Sequence, residues 1–93
     1  MTFEWDDKKN TANIEKHGIS FEDAKLAFFD PHRVITRDSI HSSDKEERFF
    51  CFGKTELGIL TVRFTIRNQH IRIFGAGLWR QGKIKYEKEN SIQ

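Results

Sequence analysis

The sequence predicts an α+β fold: two short N-terminal helices packed on one face of a mostly antiparallel β-sheet, followed by a short C-terminal helix. Two observations predict it. Apolar residues recur at helical spacing as far as Phe29, and the period then switches to two. A third observation concerns function. Residues 1–47 carry seven Lys or Arg against eleven Asp or Glu, a net of −4, whereas residues 48–93 carry nine against three, a net of +6.

The elements follow in order. Phe3-Glu4-Trp5 reads as a short strand. Asp6 or Asp7 caps a helix over about Asp7–His17, and Gly18 suits the left-handed position that ends it. Ser20 caps a second helix with Glu22 and Asp23 in its first turn. Phe21, Ala24 and Phe28 form its apolar stripe, widened by Leu26 and Phe29, and Asp30-Pro31 stops it. Strands are expected over Arg33–Thr36 and Glu47–Gly53, with a polar loop over Arg37–Lys45 and a turn over Lys54–Leu57. Along Ile59–Arg67, Leu60, Val62, Phe64 and Ile66 alternate with Thr61, Arg63, Thr65 and Arg67. Asn68-Gln69 turns the chain into a return strand from Ile71, ended by Gly75-Ala76-Gly77. A last helix is expected over about Arg80–Glu89, with Gly82 as its weak point. Consecutive strands with short connections make a meander, and the early helices must cover one of its faces.

Ninety-three residues form a single domain, 1–93, too short for a second core. Nine Phe and two Trp exclude a disordered chain. The first residues lack the basic start and apolar core of a signal peptide, no apolar run is long enough to span a bilayer, and Cys51 is the only cysteine. A reduced, cytoplasmic compartment is therefore expected. The four histidines, His17, His32, His41 and His70, match no zinc spacing, so no metal site or cofactor is expected. No phosphate-cradling glycine loop, dinucleotide fingerprint or Ser-His-Asp arrangement is present.

The charge split points to a polyanionic partner, an acidic partner protein, or both, or else to two halves whose charges mix in space. Arg63, Thr65 and Arg67 share a strand face that Arg72 joins if the register allows. Guanidinium groups on a rigid sheet match phosphate geometry; a solvated outer face with acidic partners is the plainer alternative. Glu47 can orient an arginine, act as a base, or form a surface ion pair. His17 fits a capping or packing role at its helix end better than direct chemistry. Around Trp79, the run Arg80, Lys83, Lys85, Tyr86 interleaves bases with aromatics, as single-strand binders do; a docked helix with solvated lysines is the alternative.

Several segments together resemble the BrnT-type toxins: Phe3-Glu4-Trp5-Asp6; Lys9; Asn13; Lys16-His17-Gly18-Ile19-Ser20-Phe21-Glu22-Asp23-Ala24; Asp30-Pro31; Glu47-Arg48-Phe49 followed by Gly53; Arg72-Ile73; and Tyr86-Glu87. The resemblance covers nearly the whole chain in order. It implies a RelE-like fold and a ribonuclease toxin that works without a metal, by attack of a ribose 2′-hydroxyl on the neighbouring phosphate. It also implies a ribbon-helix-helix antitoxin that binds DNA, so that DNA is contacted only through the antitoxin. The expected catalytic set is Arg63, Arg72, Arg80, Glu47 and His17, with Lys54, Arg48, Trp79 and Lys83 on the RNA. One departure stands out: many members carry arginine where this chain has Gly77.

Overall fold

A computed structural model describes residues 1–91. Helix α1 spans Asp7–His17, as the end signals predict. The Asp6 carboxylate accepts from the N–H groups of Lys8 (2.8 Å) and Lys9 (3.4 Å), donors that a first helical turn leaves free. Those bonds hold the Asp6 carboxyl below its usual range. Gly18 ends the helix at φ 71°, and its N–H returns to the Ile14 carbonyl. Asn13 is buried on this helix. Its amide donates to the carbonyls of Ile19 (2.8 Å) and Ala76 (2.9 Å) and accepts from the Ala76 N–H (3.2 Å).

Ser20 caps α2, Phe21–Ala24, through the Asp23 N–H. Here the structure departs from the single helix expected up to Asp30. After one turn the chain tightens into a 3-10 helix, Lys25–Phe29. Tight turns of this kind are common at a helix C-terminus, and Pro31 forbids continuation. The 3-10 backbone rests directly on Gly53, where an added Cβ would lie 2.2 Å from the Ala27 carbonyl oxygen. Leu26 and Phe29, expected to widen the buried stripe, remain largely exposed.

Five strands form one mixed sheet: β1 Phe3–Glu4, β2 Val34–Arg37, β3 Arg48–Thr55, β4 Gly58–Arg67 and β5 His70–Gly77, in the order β1-β5-β4-β3-β2. The β3-β4-β5 meander is as expected, with β2 antiparallel on one edge. At the other edge β1 runs parallel to β5, so three of the four pairings are antiparallel. Cys51, Leu60, Val62, Phe64, Ile73 and Ala76 bury against Phe21, Ala24, Ala27 and Phe28. Ile66 keeps the parity of this face but is 60% exposed, because β4 extends beyond the helical cover.

Helix α3, Arg80–Glu89, lies on the opposite face of the sheet. Gly82 makes this possible: a Cβ there would stand 1.8 Å from the Thr61 hydroxyl and 3.1 Å from the Phe52 ring. The glycine that weakens the helix locally is what lets it approach the sheet. Helices therefore flank both faces, and the face of Thr61 and Thr65 is not simply solvated; both threonines are buried.

Asp30 ties α3 to the sheet margin. Its carboxylate accepts from the Lys54 N–H (2.7 Å), the Tyr86 hydroxyl (2.6 Å) and the His32 N–H (2.8 Å). Burial raises its carboxyl pKa, but the donors outweigh burial and leave it below the usual range. Burial and the Asp30 carboxylate push the Tyr86 phenol up to about 12. A folded-state phenol above its ordinary value of about 10 contributes its full stability below that pH and loses it as pH rises toward the folded value. Equilibrium unfolding should thus show stability falling between about pH 10 and 12. Tyr86→Phe should cost about 1.5–3 kcal/mol at neutral pH, as expected for a hydrogen bond to a charged group, and flatten that alkaline loss.

Candidate active site

Cross-strand partners share a face of the sheet. On the α3 face this rule assembles two adjacent rows. One is Thr36, Phe50, Arg63 and Gly75; the other contains Arg48, Thr65 and Arg72. Asp38 extends the second row, because its N–H donates to the Arg48 carbonyl (2.7 Å), one step beyond the last β2 pair. The register thus joins Arg72 to the face of Arg63 and adds Arg48.

A bulge shapes the patch. Arg63 pairs with Gly75 and Phe64 with Ile73, which leaves Phe74 as the extra residue. The guanidinium carbons of Arg48 and Arg63 lie 4.6 Å and 5.1 Å from the centre of the Phe74 ring. An aromatic face attracts cations and fixes their planes. Two arginines that would otherwise repel are held over one ring.

The surrounding acids decide which arginine is free. Arg72 pairs with Glu4 (2.8 Å), and Arg48 with Glu46 (3.1 Å), which also holds Arg67 (3.2 Å). The charges of the two sequence halves therefore mix at this end of the sheet. Among the described residues Arg63 makes no ion pair. The Glu46 carboxyl is held below its usual range chiefly by the hydrogen bond from Arg48.

Sequence reasoning missed Asp38 and His41, which it left inside a polar loop. Asp38 is 5% exposed. Its carboxylate accepts from the His41 N–H (3.2 Å) and stands 2.8 Å from His41 Nδ1. Burial alone would raise the Asp38 carboxyl, but the His41 ring and N–H, and then the Arg63 charge, hold it below the usual range. Ser42 fastens the loop: its hydroxyl donates to the Asp38 carbonyl (2.6 Å) and accepts from the Arg48 N–H (2.8 Å). The available signal was local. An Asp three residues before a His, just past a strand, suits a side-chain-capped turn.

The remaining expected residues lie elsewhere. Lys54, Trp79, Arg80 and Lys83 line a hollow of about 530 Å³. Lys54 is six residues along β3 from Arg48, about 20 Å at strand rise. A second hollow of about 400 Å³, lined by Thr36, Asp38, Phe50, Phe52, Trp79 and Lys85, lies between these ends. Arg80 lines the hollow at the Lys54 end, whose lining does not include Arg63 or Arg72. His17, in the last turn of α1, packs edge-to-face on Trp79 at 5.1 Å, a packing role. Glu47 shares the parity of Phe49 and Cys51, so it falls on the other face, where it binds Arg37 (3.0 Å). The Gly77 position is closed in this chain: a Cβ there would meet the Trp79 ring at 2.7 Å.

Burial pushes the Cys51 thiol up to about 12, which makes it a core residue and not a nucleophile. Among the described residues no three His, Cys, Asp or Glu side chains gather as a metal site, and no helix is long and apolar enough to cross a membrane.

Fold and site together define a small α+β protein whose sheet gathers guanidinium groups on one face. The chain belongs to the BrnT family, the ribonuclease toxins of type II toxin–antitoxin systems, whose model matches residues 5–82. That membership bears out the resemblance read from the motifs and implies an antitoxin partner. No curated protein matches the chain.

Proposed function

We propose that the chain is a single-domain, metal-independent endoribonuclease of RelE-like fold, acting in the cytoplasm and neutralised by a ribbon-helix-helix antitoxin that binds DNA. The observation that carries the ribonuclease chemistry is Arg63, a half-buried guanidinium without an ion pair among the described residues, flanked by Arg48 and Arg72. A ribose 2′-hydroxyl attacks the adjacent phosphorus, and Arg63 stabilises the charge that develops on the non-bridging oxygens. Arg72, already neutralised by Glu4, contributes less: Arg72→Ala should slow cleavage by about tenfold, measured as kcat/KM on an RNA oligonucleotide. The RNA strand continues past Phe50 and Phe52 toward Trp79, Arg80, Lys83 and Lys54.

The same face suits an acidic or amphipathic antitoxin segment, which would cover the arginines and block RNA. A complex with the antitoxin wholly on the α1 and α2 side would reject this docking.

One observation favours a second reading, a weak or inactive homologue that holds its antitoxin. Trp79 fills the space beside Gly77, the position at which the family resemblance implies an arginine. Growth separates the two. Induction of the chain alone should arrest growth, and unimpaired growth with folded protein accumulating would favour the inactive module.

A further inference from the structure

We infer that His41 is the proton acceptor for the attacking 2′-hydroxyl, with Asp38 as its positioning residue; this rests on the ribonuclease reading.

Placement comes first. Asp38 occupies the row of Arg48, and that row adjoins the row of Arg63. The loop that carries the pair is fixed to the sheet by backbone and Ser42 hydrogen bonds to Arg48. Strand register therefore sets Asp38 relative to the arginines, and two hydrogen-bond contacts tie His41 to Asp38.

Protonation follows from the partner. An ionised carboxylate only accepts hydrogen bonds, so the ring nitrogen facing Asp38 carries the hydrogen. In the neutral imidazole, Nε2 then keeps its lone pair. The His41 side chain is 52% exposed, so that nitrogen is open to a ligand. A buried carboxylate behind an imidazole holds the tautomer and stabilises the imidazolium once it forms.

Other groups able to take a proton lie elsewhere. Glu47 is on the opposite face with Arg37, His17 packs on Trp79, and Lys54 lies at the far end of β3. The charged groups around the pair are Asp38 itself, Arg63 from β4, Arg48 in the same row, and Arg37 and Lys85, which line one hollow with Asp38.

The step balances. The 2′-hydroxyl proton moves to Nε2, the 2′-oxygen–phosphorus bond forms, and the phosphorus–5′-oxygen bond breaks. The leaving 5′-oxygen takes a proton from water, and the imidazolium returns its own to solvent. The products are a 2′,3′-cyclic phosphate and a 5′-hydroxyl.

The test uses the full chain and an RNA oligonucleotide, with kcat and KM measured across about pH 5–9. The wild type should show an acid limb in which activity rises with pH. His41→Gln should lower kcat by about 10²–10⁴-fold with KM little changed, and abolish that limb. His41→Ala should regain activity with added imidazole, which a merely structural residue would not allow. Asp38→Asn should lower kcat and displace the limb; should it fail to fold, the exposed His41 variants still decide. A His41→Gln variant with wild-type kcat, or with the limb intact, overturns the inference alone. A folded wild type that cuts no RNA overturns the ribonuclease reading and this inference together.

Discussion

Arg63→Ala is expected to lower RNA cleavage by about 10²–10³-fold, the loss typical of removing one donor aimed at developing negative charge. The free guanidinium explains the size. Arg48 and Arg72 spend part of their field on Glu46 and Glu4, whereas Arg63 makes no ion pair among the described residues. Folding should change little, because the side chain is half-buried over Phe74 and carries no hydrogen bond that holds the sheet. Melting temperature should stay within a few degrees, so a loss of activity is read as chemistry. Arg63→Lys keeps the charge but loses the planar fork, and should recover only part of the rate. Equal activity in Arg63→Ala and wild type would remove this residue from the site.

Gly53→Ala is expected to be the most damaging small substitution in the core. Its Cβ would lie 2.2 Å from the Ala27 carbonyl oxygen and 2.8 Å from the Ala27 carbonyl carbon and Cα. These are backbone atoms, so no rotamer relieves the overlap. Either the 3-10 helix lifts from β3 or the strand bends, and both break the packing of Phe28 beneath Phe64. The cost should be about 3 kcal/mol or more, beyond ordinary overpacking. A domain of this size has about 5–14 kcal/mol in total, so denaturant unfolding would register a large fall in midpoint. A midpoint unchanged within error would show that the helix does not rest on Gly53.

Much of the fold was legible because its signals are local. Asp6 and Gly18 bound α1 by their own hydrogen bonds and dihedral angle, and the alternation of Leu60, Val62 and Phe64 set the buried face of β4. What was missed depends on distant residues. The parallel pairing of Phe3 with Ile71 joins the N-terminus to β5, far along the chain, and two residues carry no periodicity. Ile66 keeps its parity but lacks a helix above it. Gly82 reads as a helix breaker until Thr61 is placed beneath it.

The site was legible in the same uneven way. Arg63 and Arg72 follow from alternation once the register is known, and the bulge at Phe74 brings Arg48 beside them. The partners Glu4 and Glu46, which single out Arg63, are set by tertiary contacts. Of the roles open to Glu47, the surface ion pair is the one found, with Arg37, because adjacent residues on a strand face opposite ways and Glu47 points away from Arg48. Asp38 and His41 became visible only when the loop was fastened to β3.

The most direct test of the proposed activity incubates the partner-free chain with a defined RNA in EDTA and identifies the new ends. Wild type should produce fragments ending in 2′,3′-cyclic phosphate and 5′-hydroxyl, and Arg63→Ala should produce almost none. Intact RNA in the presence of protein shown to be folded would contradict it.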